Sequence, residues 1–548
     1  MNKIWKRAAA LLVSAALLLP VGAQAADTSE EVIRIGLAYG STALAAANLQ
    51  NSVGSGYRLG YFDNSNAFVQ LGTVTGIDKL TMLKAENLYL SGGSYTATAG
   101  GTLVGSWYLQ IPGSYGDFSA AQKAAAQYKG GFPAWIAGEW QVRVGSWATQ
   151  ADAQSAKTSL GLTNAQPVEA GDYAVSVVET GKTDILFHFD GGADRALGIL
   201  PDVTGQSDPV TWFKGFKYYG GFRYERIDGG NLTVVNMVDL EDYIACVITW
   251  EMNASWPLEA LKAQACCART YAQRNRNRHS TYHFDLCAST DCQTYQGTSQ
   301  VTDNSQKAAD ATEGVCIWYQ NALIDAVYFS SDGGATENAE NVWVNSVPYL
   351  KGVVDPYEES IASSIPNYNW TARYTSDELA SKLRSSGYSC AAIASFQVSQ
   401  LTPTGNVKSV KVVDTAGKSW TIPGSTLRSI LGTSTLRSIR FSISSSGGTG
   451  GSVSLAGGGT ASSLSGMYAI SGDGKVSQLP DTPYVITGSG VSVLTTGGGG
   501  DSYTISGTGW GHSVGMSQYG AKAMAELGYG FEEILHFYYT DVTIERAV

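Results

Sequence analysis

The sequence predicts a β-rich α+β fold that carries a small inserted βαββαβ module. Three observations support this. Short runs alternating apolar and polar residues are separated by glycine-rich turns over most of the chain, a strand–turn–helix unit occurs twice after Trp107, and the stretch after Pro257 has the spacing of one long helix.

In chain order, Lys3, Lys6 and Arg7 precede a largely apolar run from Ala8 to Pro20 and the small-residue triplet Ala23-Gln24-Ala25. That is the pattern of a cleavable secretory signal, residues 1–25, and it places the mature chain outside the cytoplasmic membrane. The formal net charge is −11 before those three basic residues are lost, which argues against nucleic acid as a partner. Abundant Gly, Ser, Thr, Tyr and Trp, with only 15% charged residues, suit an extracellular protein that handles sugars. Seven cysteines, an odd number for an exported chain, leave at least one unpaired.

Residues 32–101 open with the alternating strand "VIRIGLAY" and form the first part of the main domain. Between 104 and 165, Tyr108-Leu109-Gln110-Ile111 matches Gln141-Val142-Arg143-Val144 and Ser114-Tyr115 matches Ser146-Trp147. Each copy leads into an Ala/Gln helix, and a strand near Pro133 to Ile136 lies between them. An exposed sheet here would offer Tyr108 and Trp140 to sugar rings. Residues 169–443 return to β-rich sequence, with a hairpin signal at Asp228-Gly229-Gly230-Asn231. Residues 444–500 are dominated by Gly and Ser and read as a flexible insertion with one short hairpin near Tyr484 to Ile486; residues 501–548 complete the main domain.

The densest chemistry begins at Leu240. Pro257 suits a first helical turn, Ser255 can cap it, and Glu259 favours the positive helix start. Lys262, Cys266 and Arg269 then share one side of the helix. Glu251 falls in the connection before this helix, between Trp250 and Met252, where apolar neighbours would destabilise its charge and keep it protonated as a general acid requires. The alternative is a surface loop glutamate.

Three long motifs, in order, resemble the sporulation protein D/LytB family: "EDYIACVITWEM…WPLEALKAQACCARTYA", "YFSSDGGATENAENVW…VPYLKGVVDP" and "GTGWGHSVGMSQYGAKAMAELGYGFEEILHFYYT". The repeat at 104–165 resembles the SPOR domain, whose members bind glycan strands stripped of stem peptides. The family resemblance implies a peptidoglycan lytic transglycosylase with Glu251 as its catalytic residue, cutting between N-acetylmuramic acid and N-acetylglucosamine and leaving 1,6-anhydro ends. Substrate contacts are expected from Lys262, Gln264, Arg269, Ser330, Gly333, Gly334, His512 and Gln518. The glycine turn at 333–334 also reads as a fold requirement, and His512 reads either as a structural residue or as one that orients Glu251 or the sugar.

His283, Cys287 and Cys292 are chemically suited to zinc. Family members with zinc commonly carry a histidine just before the last cysteine; here Asp291 stands in that place, and the expected set is His283, Cys287, Asp291 and Cys292 around a structural ion. His279 as the fourth ligand, a Cys287–Cys292 disulfide, or two free thiols remain open. The family also contains LytB-like wall proteins that stimulate a separate cell-wall amidase, and hydrolysis by water would need a second carboxylate such as Asp332 or Glu337.

Overall fold

The computed structural model describes residues 31–52, 56–202, 210–446 and 502–547, together with short strands between 453 and 493. The signal segment and most of the Gly/Ser-rich stretch lie outside the described residues. The fold is α+β, and the chain divides into two compact units, Met1–Asp239 and Leu240–Val548.

The first unit holds two large sheets. In one, the strands follow the order Val32–Ala38, Leu232–Asp239, Gly221–Arg226, Leu197–Asp202, Gly56–Phe62 and Phe68–Thr75. The hairpin signal at 228–231 joins two of them: Asp228 and Gly229 take positive φ, and the buried Arg226 closes the turn by donating to the carbonyls of Gly229 and Gly230. The other sheet has ten strands. Four of these belong to the repeated unit (Trp107–Tyr115, Gly131–Ile136, Glu139–Trp147 and Gln166–Glu169), and helices α1 (Phe118–Ala125) and α2 (Gln150–Ser159) follow the first and third. Both helices start on side-chain caps, Asp117 accepting from Ala120 N–H and Thr149 from Asp152 N–H.

The repeat does not stand apart as a separate sheet. Gly131–Ile136 pairs in parallel with Ile185–Asp190, which carries the sheet on into five further strands. The consequence falls on Tyr108. Alternate residues Leu109, Ile111, Val142 and Val144 face α1 and α2, whereas Tyr108 points the other way into a second cluster with Leu88, Val104 and Phe132. It is therefore buried rather than offered to a sugar, because both faces of its strand are covered; Trp140 keeps partial exposure.

The second unit begins with α3 (Leu240–Glu251) and α4 (Leu258–Arg274). Glu251 is thus the last residue of a helix and not part of a loop. Ser255 does not cap α4; its N–H and hydroxyl both donate to Asn253 Oδ1, and Pro257 occupies the cap position with no side-chain bond. The small residues of α4, Ala260, Ala263, Ala265 and Ala268, are all buried, as are Cys266 and Cys267. Further along, Ile393–Leu401, Val407–Asp414 and Ser419–Pro423 form an antiparallel sheet packed on α5 (Ser376–Ser385) and α6 (Gly424–Leu431) through Leu379, Leu383, Val410, Val412, Leu427 and Leu431.

Composition misplaces one boundary. Ser444–Ser446 belong to the strand Phe441–Ser446, held in register against Ser502–Thr508. The two ends of the Gly/Ser-rich stretch are therefore neighbours in one sheet. The described pieces between them form three hairpins, of which Tyr484–Thr487 with Gly490–Val493 falls where one was expected.

Candidate functional site

Glu251, from the first long motif, takes partners from the second and third and from Thr294 between them. Its Oε1 accepts the Thr294 N–H at 2.7 Å, and its carboxyl lies within hydrogen-bond reach of Thr294, Gln518 and Tyr328 side chains. Burial pushes its pKa above the usual carboxylate range, and the bonds from Thr294 and Gln518 only partly offset that effect. The residue nevertheless keeps partial exposure.

Tyr328 is the hinge of this arrangement. Its hydroxyl donates to Gln293 Oε1 at 3.0 Å, while Gln293 Nε2 donates to the Tyr243 hydroxyl and the Ala268 carbonyl. With that proton given to Gln293, the Tyr328 oxygen can accept from Glu251, which fits a protonated Glu251. Burial, with Glu251 next in effect, keeps Tyr328 well above the usual phenol range and so uncharged. Gln518 Nε2 donates to Gln264 Oε1 at 3.4 Å, and the fully buried Gln264 has no partner for its own Nε2 among the described residues.

Other expected contacts are placed differently. Arg269 is fully buried and grips both oxygens of Glu241, at 2.7 and 2.5 Å, while donating to the Val315 carbonyl, so its side chain braces the fold. Lys262 pairs with Glu259 at 2.7 Å over the Phe531 ring. Gly333 and Gly334 serve backbone packing: Gly333 has φ +71°, a Cβ there would lie 2.5 Å from the Thr508 carbonyl carbon, and its N–H donates to Glu358. The second and third motifs cross at this point, Ser331 and Trp510 exchanging backbone bonds of 3.0 and 2.7 Å. Ser330 is half-buried, and its carbonyl accepts from Tyr519 N–H.

His512 does not orient Glu251. Its Nδ1 accepts from Val514 N–H, so Nε2 carries the proton and donates to the Tyr328 carbonyl at 3.1 Å. Burial lowers its pKa to about 4, which keeps the ring neutral.

The group that could hold a metal ion is His279, Cys287, Asp291 and Cys292, whose ligand atoms all lie within 4.8 Å of one another. His279 takes the place expected for His283. A 3-10 turn over Ser280–Tyr282 brings His279 alongside Phe284, and His283 sits in the left-handed region just past that turn. His279 Nε2 lies 3.3 Å from Cys292 Sγ and 3.7 Å from Asp291 Oδ2, and Cys287 N–H points at Cys292 Sγ. A proton shared with Cys292 holds the Cys287 thiol below its usual range, which favours Cys287 as the thiolate. Two thiols, an imidazole and a carboxylate at this spacing fit a tetrahedral zinc. All seven cysteines are free, so no disulfide joins Cys287 to Cys292.

Glu251, Gln264 and Gln518 are therefore brought together, whereas Lys262, Arg269, Gly333, Gly334 and His512 have other partners. Thr294, Gln293 and Tyr328 were missed. Tyr328 opens the second motif, which was a usable signal; Gln293 and Thr294 carry none beyond following Cys292.

A family model described as stage II sporulation protein matches residues 228–319. The chain is 32% identical over 306 residues to the amidase enhancer of Bacillus subtilis (strain 168), covering 54% of this chain and only 39% of that protein's length. It is 30% identical over 329 residues to stage II sporulation protein D of Bacillus amyloliquefaciens, covering 57% of this chain and 76% of that protein. The same protein of Bacillus subtilis (strain 168) matches at 28% over 329 residues, with the same coverage.

Proposed function

This chain belongs to the stage II sporulation protein D family, and on that premise we propose that it is an exported protein that binds and cuts the glycan strands of peptidoglycan. The observation that carries this reading is the setting of Glu251, a carboxyl raised by burial yet partly exposed and bonded to Thr294, Tyr328 and Gln518. Protonated, it gives its proton to the glycosidic oxygen between N-acetylmuramic acid and N-acetylglucosamine. As the C1–O bond breaks, the carboxylate takes the proton of the muramic C6 hydroxyl, whose oxygen closes on C1 to leave a 1,6-anhydro end. The substrate supplies the nucleophile, so one carboxyl suffices.

Hydrolysis would need a second carboxylate facing the same bond. Asp332 and Glu337 are 0% and 1% exposed, and Glu337 is tied to Thr402, Thr404 and Asn406. Neither can hold a water against a sugar.

A zinc ion held by His279, Cys287, Asp291 and Cys292 would supply structural cross-linking rather than Lewis-acid chemistry. Its place in the chain gives that role a purpose, since the next residues, Gln293 and Thr294, are those that bond Tyr328 and Glu251. The SPOR-like repeat is assigned to glycan holding; with Tyr108 buried, the partly exposed Trp107, Tyr115, Tyr128, Trp140 and Trp147 are the rings left for stacking.

The identity to the amidase enhancer favours a second reading, in which the chain binds glycan and stimulates a separate cell-wall amidase without cutting. Likeness to named proteins supports this reading better; the first rests on the geometry of Glu251. One experiment separates them. Denuded glycan strands are incubated with the wild type and with Glu251→Gln, and peptide-bearing strands with a purified wall amidase and either protein. Anhydro ends, one water lighter than reducing ends, formed by the wild type alone support cutting. Intact denuded strands with equal stimulation of the amidase by both proteins support the enhancer and refute the first reading.

A further inference from the structure

A pocket of about 220 Å³ lies beside α6, away from the Glu251 carboxyl's own partners. Helix α6 lines it with the hydroxyls of Ser425, Thr426 and Ser429 and with Arg428; Trp343 and His512 form the facing wall. The volume is below the roughly 300–1,000 Å³ of sites for drug-sized ligands and suits a single sugar ring of a longer strand.

Each component has a definite chemical character. Trp343 is 40% exposed and lies tilted against the His512 ring, centroids 5.2 Å apart at 45°, so the indole is braced on one side and has surface left for the apolar face of a pyranose. His512 is neutral and has both ring nitrogens engaged, so it adds shape without charge. Arg428 is the pocket's charge. Its Nε donates to the Arg437 carbonyl at 3.2 Å, which fixes the guanidinium plane, and among the described residues neither Nη has a partner. Burial alone lowers its pKa, with no carboxylate beside it to compensate. A fixed fork of unpaired N–H groups among hydroxyls and an indole is built for a sugar that brings its own carboxylate.

We propose, resting on the reading of this chain as a glycan-strand protein, that the pocket is a subsite for muramic acid whose lactyl carboxylate is free, with Arg428 as the residue that reads it. A muramic acid still bearing its stem peptide has an amide at that position and cannot form the bidentate ion pair. The subsite thereby distinguishes stripped strands from peptide-bearing ones.

The test measures binding directly and does not depend on cutting. The mature chain is titrated by ligand-observed NMR with N-acetylmuramic acid, its lactyl methylamide, N-acetylglucosamine and glucuronic acid. The free acid of muramic acid should bind at least about tenfold more tightly than its amide or N-acetylglucosamine. Arg428→Gln should abolish that preference, Arg428→Lys should retain part of it, and Trp343→Ala, a change at an exposed position, should weaken all the N-acetylated sugars together. Equal binding of acid and amide by the wild type, or an unchanged preference in Arg428→Gln, overturns the proposal. Tighter binding of glucuronic acid than of muramic acid overturns the assignment to muramic acid. If Arg428→Gln does not fold, Arg428→Lys and Trp343→Ala decide, and an unaltered preference and affinity in both refutes the subsite. An Arg428-dependent preference in a protein that leaves strands intact would sink the cutting and spare the pocket.

Discussion

Replacing Glu251 by Gln should make the protein more stable at neutral pH, and the gain should vanish in acid. The side chains are isosteric, and Gln still accepts the Thr294 N–H that Glu251 Oε1 accepts at 2.7 Å. What changes is the charge. Burial holds the folded pKa of Glu251 above its ordinary value of 4.5. A carboxyl raised in this way contributes stability below its unfolded pKa and loses it as pH rises through the folded one. Each pKa unit of elevation corresponds to about 1.4 kcal/mol by which the carboxylate destabilises the fold above that range. For the unit Leu240–Val548 about 1 kcal/mol moves Tm by roughly 1.5 °C. Thermal melts of both proteins from pH 4 to pH 8 should therefore superimpose in acid and diverge above it, Glu251→Gln melting higher. A variant that melts lower than the wild type at pH 7, by an amount independent of pH, would mean that Glu251 is a comfortable carboxylate. The proton-donor reading would fall with it.

Two further outcomes follow from the second unit. His279→Ala should reduce bound zinc, measured by elemental analysis of the purified chain, at least tenfold, whereas His283→Ala should leave it near the wild-type level; the reverse order would restore the assignment read from spacing. Arg269→Met should lower stability by about 3 kcal/mol, the low end for breaking a buried pair because Glu241 keeps partial exposure, and denaturant melts should show it without altered binding of glycan strands. A loss of glycan affinity in a stably folded Arg269→Met protein would return Arg269 to the substrate site.

Local sequence carried the elements and the acid more clearly than the acid's surroundings. The repeated strand and helix units and the hairpin at 228–231 are written in period and turn chemistry, which act over a few residues. The burial of Tyr108 is not, because it depends on which sheet the repeat joins, and the parallel pairing with Ile185–Asp190 lies some fifty residues away. Glu251 could be singled out by motif, but the residues expected to desolvate it, Trp250 and Met252, are chain neighbours, whereas its bonding partners come from Thr294, Tyr328 and Gln518. His283 was chosen over His279 for its nearness to Cys287 in the chain. A turn of three residues reversed that choice, since it returns His279 to the cysteines and leaves His283 in the left-handed region beyond. Arg269 shows the opposite error: a charged residue on a motif helix reads as a ligand contact until burial shows its partner to be Glu241.

Two acids of the second motif, with Glu358 just beyond its end, form a further acidic group whose behaviour separates two kinds of chemistry. Asp332, Asp355 and Glu358 are all buried, with ligand atoms within 4.8 Å, an arrangement that could hold a cation. Hydrogen bonds argue otherwise. Glu358 accepts from Ser331 and Gly333 on one oxygen and from Ser517 and Asp332 N–H on the other, which fills its lone pairs. Asp355 accepts from Tyr357 N–H, Glu358 N–H and the Tyr538 hydroxyl, leaving one lone pair, while Asp332 Oδ2 has no donor at all. A proton on Asp332 Oδ2, shared toward Asp355, satisfies both, and burial followed by the charges of Glu358 and Asp355 raises the Asp332 pKa in that direction. Because that pKa is raised, the wild type loses stability as pH climbs through it, so Asp332→Asn, whose amide still donates to Asp355, should match the wild type at pH 5 and exceed it at pH 9. Glu358→Gln places an NH2 group against two donors, whichever oxygen it replaces, and should cost at least about 3 kcal/mol at both. Melts in which Asp332→Asn is the less stable protein across this range would favour a bound cation over a shared proton.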